Sequence, residues 1–254
     1  MGGVDDDLPP PIPAATLILM RPGAPGGPPE ILMIERAATM AFAAGALAFP
    51  GGRIDPQDHD SAARLGSSLP DAAARIAAVR ETVEETGIVP AVAGEADPAR
   101  LRRELAAGAP FAELLDRHGL TLHLEALTPF ARWCPNFREA RRFDALFYLA
   151  DAPAGAQVAS ADETESARTF WAGAADTLAE IEAGRAHAIF PTRRNLERLA
   201  GFASIGQARE DAARHPVRQI TPWVEERDGK RWVCIPEGIG YPVTAERYET
   251  ARRR

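Results

Sequence analysis

Three glutamates on one short stretch of the chain, Glu81, Glu84 and Glu85, are the residues best suited to chemistry. They lie in the clearest helical pattern of the sequence, residues 71–86, which begins at a capping aspartate and stops at Gly87. Positions three and four apart share a helical face, so the three carboxylates lie together. The opposite face is an apolar stripe of Ala72, Ile76, Val79 and Val83.

This placement of the carboxylates is unfavourable for stability alone. Like charges repel across one helical turn, and the carboxyl end of a helix disfavours anions. A hard divalent cation such as Mg²⁺ removes the penalty, because it prefers oxygen ligands and leaves positions open for water and phosphate. Arg80 is spaced to hold Glu84 in place. Small residues beside the acids predict space for a ligand over this face: Ala74, Ala77 and Ala78. The alternative is a solvated acidic face.

The elements around this helix mix strands and helices without strict alternation. Apolar strands are predicted at 14–20 and 30–35, paired as a hairpin, and near 122–134 and 143–150. Further helices are predicted at 98–107, 110–118, 174–184, 192–203 and 205–214, with a terminal hairpin over 219–235. Residues 53–70 are polar and rich in turn formers, which indicates a loop. This order predicts a mixed α/β fold (α+β), with a mixed sheet covered by helices.

Composition restricts the class of protein. The length of 254 residues suits one domain, which we place at 14–245. The net charge of −7 argues against a nucleic-acid partner. No apolar run is long enough to cross a bilayer. Residues 1–13 are acidic and rich in proline, so we expect a disordered lead without a signal peptide, and a cytoplasmic protein. We expect Cys134 and Cys234 to be buried apolar residues. The terminal hairpin offers a surface for a homodimer.

The run Arg80–Ile88, read with the preceding glycines, resembles the Nudix box, G-x5-E-x7-R-E-U-x-E-E-x-G-U with U apolar. Two departures stand out. Between Gly52 and Arg80 lie 27 residues, where the pattern has 13, so an insertion at 54–70 interrupts the box. Counted back from Arg80, the first acid of the pattern falls on Ala72, next to Asp71. Asp55 and Asp58 are other acids in the inserted segment, and Glu81, Glu84 and Glu85 carry the assignment.

The resemblance implies a Nudix α/β/α sandwich and a metal-dependent enzyme that cleaves a diphosphate linkage. In this family water attacks one phosphorus, and Mg²⁺ or Mn²⁺ ions bridge the helix carboxylates and the diphosphate. Glu84 and Glu85 would then be principal ligands, and Glu81 a ligand or the general base. Arg80 would orient the carboxylates. Further candidate ligands are the Gly51 carbonyl oxygen and Glu165, an acid in a later loop that is the alternative base.

A second motif resembles the branch of the family that cleaves coenzyme A, R-[SA]-x3-R-x3-G-x3-F-P-G-G. The matching positions predict substrate contacts by Arg36, Gly45, Phe49 and Gly52. The second arginine of this motif is replaced by Ala41. Later stretches resemble the peroxisomal coenzyme A Nudix hydrolases of animals and their bacterial relatives. There, Arg138, Arg141 and Arg142 form a cluster suited to phosphate oxygens.

Three functions therefore remain open. The first is a diphosphatase for coenzyme A or acyl-coenzyme A. The second is the same chemistry on ADP-ribose, a dinucleotide or a nucleotide sugar, which the missing arginine at Ala41 keeps open. The third is a Nudix-fold binding module without turnover, against which the intact acids Glu81, Glu84 and Glu85 argue.

Overall fold

A computed structural model describes residues 9–37, 43–135, 142–156 and 166–251. Its main sheet is built on the apolar strands that the sequence predicts near the start of the chain. The strands, in chain order, are β1 (Ile12–Arg21), β2 (Glu30–Arg36), β3 (Leu47–Ala48), β4 (Gly51–Arg53), β5 (Val92–Ala93), β6 (Thr121–Leu122), β7 (Thr128–Trp133), β8 (Phe143–Asp151), β9 (Ser166–Gly173), β10 (Gln219–Ile220), β11 (Trp223–Arg227), β12 (Lys230–Cys234) and β13 (Ala245–Arg247).

The helices cover both faces of this sheet. They are α1 (Pro56–Arg64), α2 (Ala72–Thr86), α3 (Pro98–Ala106), α4 (Phe111–Arg117), α5 (Ala174–Glu182), α6 (Phe190–Leu199), α7 (Ile205–Arg214) and α8 (Tyr248–Ala251). A single turn of 3-10 helix, Leu124–Ala126, precedes β7. Within the described ranges, no helix is long and apolar enough to cross a membrane.

The main sheet is mixed, as expected. Its strands run in the order β10-β7-β8-β1-β2-β3, with β4 also paired to β1 and β9 to β2. The central strand β1 is parallel to β8 and antiparallel to both β2 and β4. The hairpin predicted from the first two apolar runs is therefore confirmed, through the pairs Met20–Ile31 and Arg21–Glu30. A second sheet, β11-β12-β13, contains the predicted terminal hairpin.

Alternation along β1 divides the core into two layers. Leu17 and Leu19 join the apolar cluster under α2, α3 and α4, whereas Ile18 and Met20 join the cluster under α5, α6 and α7. Successive strand residues point to opposite faces, so both faces of the sheet are buried. The result is the expected α/β/α sandwich. Cys134 and Cys234 are buried and unpaired, as the sequence predicts.

Helix α1 and strand β9 are the two longest of the elements that the sequence does not predict. Residues 56–64, expected to form part of a loop, fold as α1, with Pro56 in the first turn and Arg64 in the last. This helix buries Asp58 and Ser61 rather than an apolar stripe, so hydrophobic periodicity gives no sign of it. Strand β9 pairs along almost the whole of β2, and the sequence pattern does not predict it.

Candidate functional site

The helix that carries the three glutamates, α2, is fixed at both ends. At its start, the Asp71 carboxylate accepts hydrogen bonds from Arg75 Nε at 2.8 Å and from the Tyr148 hydroxyl at 3.0 Å. At its end, Gly87 adopts a left-handed conformation (φ 69°) and donates its N–H to the Val83 carbonyl oxygen. The apolar stripe predicted from the sequence is buried against the sheet. The glutamates therefore lie on a rigid element.

Arg80 is the centre of the site. Its Nη1 donates to Glu81 Oε1 at 2.9 Å and to Glu84 Oε2 at 3.1 Å, which confirms the predicted pairing with Glu84. On its other side, Nε and Nη2 each donate to the Asp58 carboxylate at 3.0 Å. Nη2 also reaches the Arg53 carbonyl oxygen at 3.1 Å. Every nitrogen of the guanidinium is thus engaged, so Arg80 fixes the direction of two of the three glutamates.

The charges around Arg80 keep it protonated. Burial alone lowers the pKa of a guanidinium, but the hydrogen-bonded Asp58 and the charges of Glu81 and Glu84 outweigh it and raise the pKa of Arg80. Arg80 forms ion pairs with four carboxylates, those of Asp55, Asp58, Glu81 and Glu84. Such a concentration of carboxylate oxygens suits a divalent cation.

Glu85 connects α2 to the turn before β4. Its Oε2 accepts a hydrogen bond from the backbone N–H of Gly51 at 2.9 Å, and the residue is only 7% exposed. Gly51 itself lies tightly against β1: a Cβ at this position would come within 2.5 Å of the Ala15 carbonyl oxygen and 2.7 Å of Thr16 Cα. Only glycine fits there, so the turn, β1 and Glu85 form one rigid unit.

Gly52 makes room for Glu81. A Cβ at Gly52 would overlap the carboxylate of Glu81, according to its ideal position. The two neighbouring glycines therefore serve different purposes. Gly51 permits close packing of the backbone on β1, whereas Gly52 leaves space for a glutamate side chain.

The fold matches that of known proteins, although no family model matches the chain. The crystal structure of a NUDIX hydrolase from Alicyclobacillus acidocaldarius superimposes with a TM-score of 0.71 at 29% sequence identity, over 79% of this chain and 96% of that one. The chain has the Nudix hydrolase fold, and its sequence is similar to that of a Nudix hydrolase over most of its length. The run Arg80–Ile88 matches the second half of the Nudix box.

A curated relative gives the same classification. Acyl-coenzyme A diphosphatase NUDT19 of Gallus gallus is 24% identical over 278 residues, which cover 83% of this chain and 74% of that protein. Both similar proteins are named as enzymes, and the similarity indicates an enzyme of the Nudix hydrolase class.

The structure places Asp58 where the first acid of the Nudix box would lie, against Arg80. Counted forward from Gly52, five residues precede Asp58, which is the spacing of the box's glycine and first glutamate. Asp58 is fully buried and holds Arg80 through two hydrogen bonds. Counting back from Arg80 pointed to Ala72 instead, because the insertion lies between the acid and the arginine. Asp71, the neighbouring candidate, is engaged by Arg75 and Tyr148 at the start of α2.

The expected ligand space beside the acids is not found. Ala74, Ala77 and Ala78 are all buried in the apolar cluster under α2, so the expectation that they border an open face is wrong. Small side chains there allow neighbouring elements to pack closely on α2. The exposed fraction of the side chain is 14% for Glu81 and 31% for Glu84.

The structure brings two of the predicted substrate-binding residues together. The N–H of Gly45 donates to the Arg36 carbonyl oxygen, and the N–H of Arg36 donates to Ala46, so both lie where β2 turns toward β3. Gly45 has a φ of 70°, which favours glycine. Phe49, in contrast, is buried and packs edge-on against Phe147 at 6.4 Å, so its ring supports the turn from the core.

Arg142 lies beside the first residues of β1, where its carbonyl oxygen accepts the N–H of Ile12 at 2.8 Å. Gly52 pairs with β1 from the opposite side, at Ala15. Three other predicted site residues, Arg138, Arg141 and Glu165, lie outside the described residues.

A metal fits this site by its donor chemistry. Within the described part of the chain, no three His, Cys, Asp or Glu side chains form a ready-made metal site. Two carboxylates nevertheless already converge on one cationic nitrogen, Nη1 of Arg80, and a third is less than one helical turn away. Anionic oxygens at this density are the ligands that Mg²⁺ and Mn²⁺ prefer.

Proposed function

We propose that this Nudix hydrolase cleaves a diphosphate linkage with the carboxylates of α2 and a divalent cation, Mg²⁺ or Mn²⁺. The observation that carries the proposal is the convergence of Glu81 and Glu84 on Arg80, next to a Glu85 held by the Gly51 amide. A surface acidic patch needs no such internal support. These carboxylates are held in place by a buried arginine and a glycine turn, which is what a reactive site requires.

The residues that would hold the cation are Glu81, Glu84 and Glu85, with the Gly51 carbonyl oxygen as a further ligand. When bound, the cation would offset the carboxylate charge, activate the attacking water and stabilise charge on the phosphoryl oxygens. Arg80 sets the direction of the Glu81 and Glu84 side chains. Glu81 is a ligand or takes the proton of the attacking water, and Glu165 is the alternative base.

The proposed substrate is coenzyme A or an acyl-coenzyme A. Two observations support it: the curated relative is named an acyl-coenzyme A diphosphatase, and the backbone contact of Arg36 with Gly45 joins two residues of the coenzyme A motif. Hydrolysis would give a 3′-phosphoadenosine phosphate and a phosphopantetheine product. Arg138, Arg141 and Arg142 are the proposed phosphate contacts.

A second candidate is the same reaction on ADP-ribose, a dinucleotide or a nucleotide sugar. It is favoured by Ala41, which stands where the coenzyme A motif has its second arginine. A panel of diphosphates, incubated with Mg²⁺ or Mn²⁺ and with products resolved by mass, separates the two candidates. Carrying out the reaction in ¹⁸O-labelled water identifies the phosphorus that is attacked.

The catalytic assignment is tested by Glu84→Gln and Glu85→Gln. Each removes a negative charge with little change in shape, so we expect turnover to fall about 100-fold or more while the fold is retained. Glu95→Gln, at an exposed position, is the matched control and should behave as the wild type. Wild-type turnover in both α2 variants would refute the assignment. If no diphosphate of the panel is cleaved but one binds, the chain is a binding module.

A further inference from the structure

The last turn of α2, which carries Glu84 and Glu85, is completed by a residue from outside the Nudix box. The helix ends at Gly87, and the N–H of Ile88, the usual donor to the Glu84 carbonyl oxygen, is donated to Thr86 Oγ1 at 3.1 Å. Arg102 supplies a donor in its place, with Nε 2.7 Å from the Glu84 carbonyl oxygen. Its side chain therefore contacts the backbone of a proposed metal ligand directly.

Arg102 is held in this position by its own helix. It lies on α3, between Leu101 and Leu105, both of which are buried in the same apolar cluster as α2. The first turn of α3 is fixed by Asp97, whose side chain accepts the N–H of Arg100 at 3.0 Å. Because α3 is anchored at its start and along its apolar face, Arg102 is a rigid support rather than a mobile surface side chain.

The charge of Arg102 is also suited to this place. A cation at the carboxyl end of a helix interacts favourably with the helix dipole, and here it lies beside a cluster of like negative charges. One side chain thus satisfies a terminal carbonyl and lowers the cost of carrying Glu84 and Glu85 on the final turn.

We infer that Arg102 is a positioning residue for the proposed reaction, so that helix α3 contributes to catalysis as well as to packing. This inference rests on the proposed function of the α2 glutamates. Arg102 acts through the backbone of Glu84 and does not have to touch the substrate. Its loss should therefore affect metal binding and turnover more than substrate affinity.

The test compares Arg102→Gln with Arg103→Gln, an exposed arginine on the same helix. Three quantities are measured: the Kd for Mn²⁺ without substrate, kcat and KM on the diphosphate cleaved best, and Tm. For Arg102→Gln we expect the Mn²⁺ Kd to rise and kcat to fall, each about 10-fold, with KM changed less than about twofold. Arg103→Gln should match the wild type. Arg102→Lys restores the charge and a donor, so it should recover part of both losses.

A purely structural role gives a different result. Arg102→Gln would then lower Tm and leave the Mn²⁺ Kd and kcat at the values of Arg103→Gln, and this would overturn the inference. If Arg102→Gln does not fold, Arg102→Lys decides, since unchanged Mn²⁺ affinity and kcat in that variant also overturn it. Glu85→Gln separates the two levels of the argument: an inactive Glu85→Gln with a normal Arg102→Gln refutes only the role of Arg102, whereas an active Glu85→Gln refutes the proposed function itself.

Discussion

Replacing Asp58 with asparagine should weaken both the fold and the site. Asp58 is fully buried, and its carboxylate accepts hydrogen bonds from Arg80 Nε and Nη2 and from the backbone N–H of Asp55 at 2.8 Å. Asparagine keeps one acceptor oxygen but turns an NH₂ group toward a donor and removes the charge. Breaking a buried ion pair from one side costs about 3–5 kcal/mol. Arg80 retains its bonds to Glu81 and Glu84, so we expect about 3 kcal/mol.

For a chain of this length, about 3 kcal/mol corresponds to a decrease in Tm of roughly 6 °C. Because Arg80 also orients Glu81 and Glu84, kcat should fall about 10-fold. Thermal unfolding followed by circular dichroism and steady-state kinetics with Mn²⁺ measure the two effects. Asp60→Asn, an exposed position on the same helix, is the control.

The interaction itself is isolated by a double-mutant cycle of Asp58→Asn with Arg80→Gln. We expect a coupling energy of about 2 kcal/mol. If Asp58→Asn unfolds within 1 °C of Asp60→Asn and has the same kcat, then Asp58 neither stabilises nor orients Arg80, and the structural identification of the first box acid is refuted.

Two further predictions concern the glycine turn and the C-terminal half. Gly51→Ala should lower Tm, because the added Cβ would collide with the backbone of β1. Gly52→Ala should mainly lower kcat, because the added Cβ would displace the Glu81 side chain, which can rotate away. Similar effects of both substitutions on Tm and kcat would contradict this distinction. Burial raises the pKa of Glu197 to about 7, against the opposing charges of Arg194 and Arg193. The stability that Glu197 contributes is thus fully present below its unfolded pKa and is lost as pH rises through about 7. Tm measured from pH 4 to 8 should fall less steeply in Glu197→Gln, and parallel curves would contradict the pKa shift.

Local signals explain what the sequence predicts well. Helix α2 is placed to within one residue because Asp71, an apolar stripe and Gly87 all point to the same boundaries, although the Asp71 side chain binds Arg75 and Tyr148 rather than a backbone N–H. The α7 boundaries, 205–214, also agree, and there Ser204 accepts the N–H of Gln207 at the start of the helix. The pairing of Arg80 with Glu84 follows from helical spacing alone.

The remaining features depend on contacts between distant parts of the chain. Asp58 meets Arg80 across 22 positions, and no periodic pattern links the two. Phe49 belongs to a motif that predicts substrate contact, yet its ring lies against Phe147 in the core. Arg102 reaches α2 from another helix, and nothing in its local sequence distinguishes it from Arg103. Such residues are found only when the fold brings them together.

The split Nudix box shows why this insertion is tolerated. The 21 residues between Asp58 and Arg80 replace the seven of the pattern, and closing a flexible segment three times as long costs only about 1 kcal/mol more in chain entropy. Formation of α1 restricts the segment further. Leaving Arg80 buried without Asp58 would cost about 3 kcal/mol, which is more than this entropy difference. The two halves of the box therefore reassemble in space, and the geometry around Arg80 depends on that contact rather than on the number of residues between them.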